Sequence, residues 1–154
     1  MKIFLIASVW TIVSVGLVVV ENDSFFSLDT LLLSLARFSF VVAITVPFDI
    51  RDLKYDAADL KTIPQRFGVR NAKKIALCFL GVFDLISIIH FFIGGFSLAV
   101  LVALLVSSVF TAFLILKTKQ EKNTFYFSFW VEGASILMLI LLFVIPLAFG
   151  IFVP

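Results

Sequence analysis

The sequence predicts an all-α polytopic membrane bundle of five transmembrane helices forming a single domain, 1–154, and three observations carry that prediction. Apolar residues make up 62% of the chain and charged residues 14%, far from the balance of a water-soluble domain. The apolar residues fall into five runs, each about as long as a helix needs to cross the hydrocarbon core of a bilayer. The ions are gathered rather than scattered. Between Phe48 and Asn71 the chain holds four carboxylates and five basic side chains. Helices suit the interior of a bilayer because each satisfies its own backbone hydrogen bonds there.

Lys2 opens the first run, 3–20, whose eighteen residues give roughly 27 Å of helix. No small-residue cleavage pattern precedes Glu21, so this segment reads as a retained span rather than a signal peptide. The acidic turn Glu21-Asn22-Asp23-Ser24 leads to the second span, 28–48, interrupted by Arg37 and ending beside Pro47, where a missing N–H bends or stops a helix. After the charged stretch 49–71, the third span, 72–92, is entered through Lys73-Lys74 and contains Asp84 and His90. Gly94-Gly95 makes a tight connection to the fourth span, 96–116, which is free of charge. The basic loop from Lys117 to Asn123 precedes the fifth, 124–149, with Glu132 in its first half and Pro146 towards its end.

Loop charges set the expected orientation. Arg51, Lys54, Lys61, Arg66, Arg70, Lys73 and Lys74 lie between the second and third spans, and Lys117, Lys119 and Lys122 between the fourth and fifth; the other two loops carry no cation. The positive-inside rule then places the amino terminus and the motif loop 49–71 in the cytoplasm and the carboxyl terminus outside. The expected location is the inner membrane of a bacterium. A net charge of +2 is too small to point to nucleic acid. Cys78, the single cysteine, excludes an internal disulfide and reads as a small buried hydrophobe.

Arg37, Asp84 and Glu132 fall within apolar runs, where a charge normally faces a partner, the bundle interior or water. Arg37 and Asp84 each lie about 18 Å from the cytoplasmic end of their helices at the standard rise. They are candidates for a buried pair, with structural and functional roles equally open, and, with Glu132, candidates for lining a cavity. Glu132, roughly 12 Å deep by the same measure, is placed to line the lower part of a cavity. His90, near the outer end of its span, reads as an interfacial residue rather than a ligand.

Asp49, Asp52 and Asp56 are spaced i, i+3, i+7, one face of a helix if the second span continues into the loop. Carboxylate oxygens suit Mg²⁺, which often completes its shell with phosphate oxygens. Arg51, Lys54, Lys61, Arg66 and Arg70 are positioned to offer donors to such phosphates. An equally open reading has these charges simply interspersed along a solvated juxtamembrane helix.

The run from Asp49 to Asp56, followed by Lys61-Thr62-Ile63-Pro64-Gln65-Arg66-Phe67-Gly68, resembles the second aspartate-rich motif of the UbiA superfamily of intramembrane prenyltransferases. Phe125-Tyr126 and Glu132-Gly133 resemble the start of that family's final helix. The resemblance implies a cytoplasm-facing cavity in which Mg²⁺ binds the diphosphate of an isoprenyl donor, and the allylic cation left by its departure alkylates an acceptor such as an aromatic ring. By position, Asp52 and Asp56 correspond to the catalytic metal-binding pair, Asp49 replaces a polar residue that completes the metal set, and Lys61, Arg66 and Arg51 correspond to diphosphate contacts.

The resemblance covers the carboxyl-terminal half of such enzymes. Family members have nearly twice as many spans and a first aspartate-rich motif that this chain lacks, and the loop between Asp56 and Thr62 is one residue shorter than the common pattern and lacks its Gly. The expected partners are therefore the lipid bilayer, a prenyl diphosphate, and either a separate amino-terminal half or a second copy. The chain is otherwise a fragment or a non-catalytic remnant. Two other classes compete. A small membrane scaffold would use its basic loops only to hold anionic lipid headgroups; an ion transporter built on Arg37, Asp84 and Glu132 is disfavoured by the lack of an inverted repeat.

Overall fold

Among the described residues five apolar helices pack side by side as a bundle. A computed structural model of the chain describes residues 2–21, 27–55, 60–120 and 125–150. The helices are α1 (Lys2–Glu21), α2 (Leu28–Asp52), α3 (Ile63–Phe92), α4 (Leu98–Lys117) and α5 (Glu132–Ala148), and a π-helical segment, Tyr126–Val131, leads directly into α5. No strand occurs among the described residues. Among the described residues four helical stretches are long and apolar enough to cross a membrane: α2, α3, α4 and Phe129–Ala148. The shorter apolar stretch of α1 is Lys2–Leu17.

Consecutive helices pack against each other, and α2 is the hub, touching α1, α3, α4 and the π segment. Its inner stripe explains why. Phe40, Val42, Ala43, Val46 and Ile50 are fully buried, and across from them lie Ala72, Ala76, Leu80 and Phe83 of α3 and Ile3 and Ala7 of α1. Alanines at 43, 72 and 76 let α2 and α3 approach closely, the usual device where lipid supplies no hydrophobic drive for helix association. Phe40 and Phe83 meet at 5.2 Å between ring centroids.

Boundaries differ from the expected ones where local chemistry intervenes. Helix α2 runs through Pro47 to Asp52 instead of stopping near Pro47, because one lost backbone bond is tolerated in a helix packed by its neighbours. Helix α3 starts at Ile63, nine residues before the expected span, on a start signal written into the sequence. Pro64 occupies the first turn, and the Thr62 N–H donates to Gln65 Oε1 at 3.0 Å, the return half of a capping box. Gly68 interrupts this helix with φ 75° and ψ 161°, a conformation that L side chains rarely adopt. The first turn of α3 therefore lies at an angle to its transmembrane part.

Ions inside the bundle are handled differently from expectation. Arg37 and Asp84 do not pair: Ser108 Oγ of α4 donates to Asp84 Oδ2 at 2.9 Å, while Arg37 borders one cavity with Phe83, Ile86 and Ser87 of α3 and a second with residues of α1 and α5. Equal depth is no guarantee of equal bearing around the helix axis. His90 is buried at 3% exposure rather than interfacial. Its Nε2 lies 2.8 Å from Asp29 Oδ1, its ring is 4.1 Å from that of Phe96, and Gly95 closes over it. Cys78 is exposed on the outer face of α3, the reverse of the buried position its residue type suggested.

A Cβ on Gly95 would collide with the His90 ring, whereas one on Gly81 meets nothing within 4 Å. Because Phe96 and Asp29 clamp that ring, Gly95→Ala lowers stability by about 1–3 kcal/mol. Gly81→Ala, in a helix interior, is neutral or stabilising by up to about 1 kcal/mol. Thermal unfolding of both variants in detergent checks the pair; equal melting temperatures would refute the clamp.

Candidate functional site

The charged ends of α1, α2, α3 and α5 meet at one end of the bundle, and two hollows form there. The larger, about 520 Å³, is a cleft opening between α1 and α5 with α2 as its floor. The smaller, about 250 Å³, lies between the first turns of α1 and α3. Lys2 and Asp49 border both.

The cleft is amphiphilic along its length. Asp49, Asp52 and Glu132 stand with Lys2 among its lining, Arg37, Thr45 and Ser135 add further polar groups, and Ile6, Trp10, Val41, Ile44 and Phe48 make the apolar wall. Helical geometry explains the placement. Lys2, Ile6 and Trp10 are spaced by four and form one stripe of α1, while Ile3 and Ala7, one position on, turn into the core. Because α2 continues past Pro47, Asp49 and Asp52, three apart, share the cleft face, as their spacing predicted. Asp56 lies outside the described residues. Arg37 brings a guanidinium to the inner cleft, forms no ion pair among the described residues, and its buried Nε has no hydrogen-bond partner.

Asp52 is already engaged. Arg51 Nε donates to Asp52 Oδ1 at 2.7 Å and Arg51 Nη2 to Asp52 Oδ2 at 3.1 Å, a bidentate pair whose geometry is among the stronger ion contacts. The guanidinium also sits 5.3 Å from the Phe48 ring centroid and 5.5 Å from that of Phe127, so cation–π attraction holds it against two aromatic faces. Arg51 is thus an internal partner of Asp52, not a free donor for a phosphate. Both side chains remain about 30% exposed, so water screens the pair and its net contribution is small.

Phe127 reaches Arg51 because of the π-helical segment. There the Glu132 N–H donates to Phe127 O, five residues back, and the widened turn fixes the bearing of Glu132 on the cleft. Such turns are found most often at functional sites. Tyr126 anchors the segment by donating its hydroxyl to Leu114 O at 2.6 Å, and Lys73 Nζ caps α4 through Leu116 O at 2.9 Å.

The smaller hollow collects the other expected cations. Lys61 and Arg66 border it with Thr62, Ile63, Phe67 and Ile75 of the α3 side and Ile3 and Phe4 of α1. Lys61 has φ 46°, the one non-glycine positive φ among the described residues, a conformation costing of order 1 kcal/mol or more. Lys54 and Arg70 are exposed and border neither hollow.

Among the described residues no group of three His, Cys, Asp or Glu side chains stands close enough to hold a metal ion. Asp49 and Asp52 nonetheless present hard oxygen donors to one cleft, and Mg²⁺ is commonly held by one or two carboxylates together with water and phosphate oxygens. The donor chemistry fits, on condition that Asp52 exchanges Arg51 for the metal.

Comparison of the chain with family models, curated proteins and solved structures finds no match. The assignment of function therefore rests on the site.

Of the residues the sequence singled out, Asp49, Asp52, Glu132, Lys61, Arg66 and Arg37 border the two hollows, and Asp84, also a cavity-lining candidate, borders neither. Sequence reasoning missed Lys2, Trp10, Thr45 and Ser135, although the four-residue spacing of Lys2, Ile6 and Trp10 was a readable signal for α1. The Arg51 contact with Phe127, some seventy-six residues away in sequence, had no local signal.

Inside the bundle, Asp84 Oδ1 is buried without a hydrogen-bond partner, and Oδ2 depends on Ser108. Ser108→Ala strips that last bond and lowers stability by about 1–3 kcal/mol, whereas Asp84→Asn preserves an acceptor and changes it by less than about 1 kcal/mol. Unfolding in detergent measures both; a Ser108→Ala protein as stable as wild type would contradict the contact.

Proposed function

We propose that the chain binds a prenyl diphosphate and forms the carboxyl-terminal half of a UbiA-like prenyltransferase site in a bacterial inner membrane, with five spans, its amino terminus and motif loop cytoplasmic. The observation that carries this reading is the cleft between α1, α2 and α5, where acids and cations gather at the ends of helices and an apolar wall runs behind them. A ligand with an anionic head and a hydrocarbon tail matches that division.

In this reading Trp10, Val41 and Ile44 shelter the tail from water, which protects an allylic cation from hydrolysis. Asp49, bordering both hollows, and Asp52 would hold Mg²⁺, with Asp56 as the third carboxylate implied by the motif. Bound there, the metal neutralises charge on the departing diphosphate. Lys61 and Arg66 supply hydrogen-bond donors on the far side of Asp49. Arg51 holds the Asp52 carboxylate in its orientation on the cleft. The bond from the prenyl carbon to the diphosphate oxygen breaks first, the acceptor carbon then bonds to the allylic cation, and the acceptor's proton passes to the released diphosphate. A complete metal site takes its remaining ligands from a separate amino-terminal half or from a second copy of the chain.

A specific observation favours a second reading, a non-catalytic membrane scaffold. The bidentate Arg51–Asp52 pair uses both carboxylate oxygens, as in a residue whose task is structural.

One experiment separates the two. Binding of a fluorescent prenyl diphosphate to the purified protein is expected to require Mg²⁺ and to weaken at least tenfold, about 1.4 kcal/mol, in Asp52→Ala and in Asp56→Ala. Binding indifferent to Mg²⁺ and to both substitutions would favour the scaffold.

A further inference from the structure

The smaller hollow gives Lys2 a role that neither its position in the chain nor the motif assigns. Among the described residues three cations border this space, Lys2 from α1 with Lys61 and Arg66 from the start of α3, against one carboxylate, Asp49. The lining therefore carries a formal excess of two positive charges. Its apolar lining is made by Ile3, Phe4, Ile63, Phe67 and Ile75, and the three cations reach water at its rim, where an incoming anion meets them without desolvating them first. At about 250 Å³ the hollow holds roughly eight water volumes, enough for a phosphate or diphosphate group but not for a tail as well.

The two hollows are separated by one turn of helix. Ile3 and Phe4 face the smaller one, and Ile6 and Trp10 face the cleft. Ile3 is buried at 2% exposure and Ala7 fully, which pins that turn onto α2. Lys2 sits at its head and borders both spaces, as Asp49 does from the floor. A long, flexible ammonium at that junction can follow an anion on either side without any movement of the backbone.

We propose that Lys2, together with Lys61 and Arg66, forms a binding site for a phosphate or diphosphate head in the smaller hollow, and that Lys2 links this site to the cleft. The site deepens the prenyl diphosphate reading, since a head seated beside Asp49 leaves its tail free to pass into the cleft. It stands by itself as an anion site if that reading fails. Two sources share the chemistry: a free diphosphate group, or the phosphate head of an anionic lipid.

The test uses the full chain in detergent, titrated with inorganic pyrophosphate in the presence of a chelator to remove divalent ions, and in parallel in nanodiscs with and without phosphatidic acid. Pyrophosphate binding is expected, weakened at least tenfold in Lys2→Ala and in the Lys61→Ala/Arg66→Ala double variant, and kept within about threefold in Lys2→Arg, which preserves charge. Circular dichroism establishes that each variant is folded. Saturable, Lys2-dependent binding of phosphatidic acid with none of pyrophosphate assigns the same site to a lipid head. Binding of either probe that is unchanged in Lys2→Ala overturns the proposal, as does failure of both probes to bind. Asp52→Ala distinguishes this result from the larger reading. Asp52 does not border the smaller hollow, so that substitution leaves metal-free pyrophosphate binding intact even where it removes Mg²⁺-dependent binding of the prenyl diphosphate.

Discussion

The packing of α2 against its neighbours is the constraint on which the remaining structure depends. Its stripe from Phe40 to Ile50 is wholly removed from the exterior, and α1, α3, α4 and the π segment all rest on it. In lipid, where burial of apolar surface provides little net drive, close fit and satisfied backbone groups must hold helices together. A helix fixed on so many sides can carry Pro47 in its last turns without breaking there. Its continuation brings Asp49 and Asp52 to the floor of the cleft, while the same rigidity holds Arg51 between the rings of Phe48 and Phe127. Site geometry is thus a by-product of how firmly one helix is gripped.

Elements whose information is local were legible in the sequence. Apolar run length located the helices, the carboxylate spacing along 49–52 gave a common face, and Thr62-Ile63-Pro64-Gln65 contains its own start signal, although the expected span began later because the charged residues around it suggested a loop. What the sequence withheld was bearing around an axis. Arg37 and Asp84 lie at matching depths on α2 and α3, yet one faces the cleft and the other Ser108, since depth follows from residue count and direction depends on how helices are rotated against each other. His90 illustrates the same limit: its burial depends on a turn at Gly95 folding back and on a carboxylate of another helix, both distant in kind from anything its own neighbours announce.

The two hollows divide labour by charge sign. Acids dominate the polar lining of the cleft, cations that of the smaller space, and Asp49 and Lys2, of opposite sign, stand where they adjoin. Of these two, Lys2 is exposed to water and Asp49 is buried at 3% exposure, so the carboxylate is the one whose desolvation a nearby cation must offset. Such an arrangement suits a group that carries its own negative charge, and it keeps the deeper apolar wall free of unpaired ions apart from Arg37.

The π-helical segment has a consequence for how the last helix could change over generations. A turn of this kind holds one residue more than an α-helical turn in the same place, and each residue of an α-helix corresponds to about 100° of rotation. Which side of the last helix looks inward is therefore set upstream of that helix, at Tyr126–Val131. Loss of a single codon from an unbroken α-helix would turn every later side chain about 100° around the axis, whereas the π turn can give up its extra residue and leave Glu132 and the side chains after it facing as before.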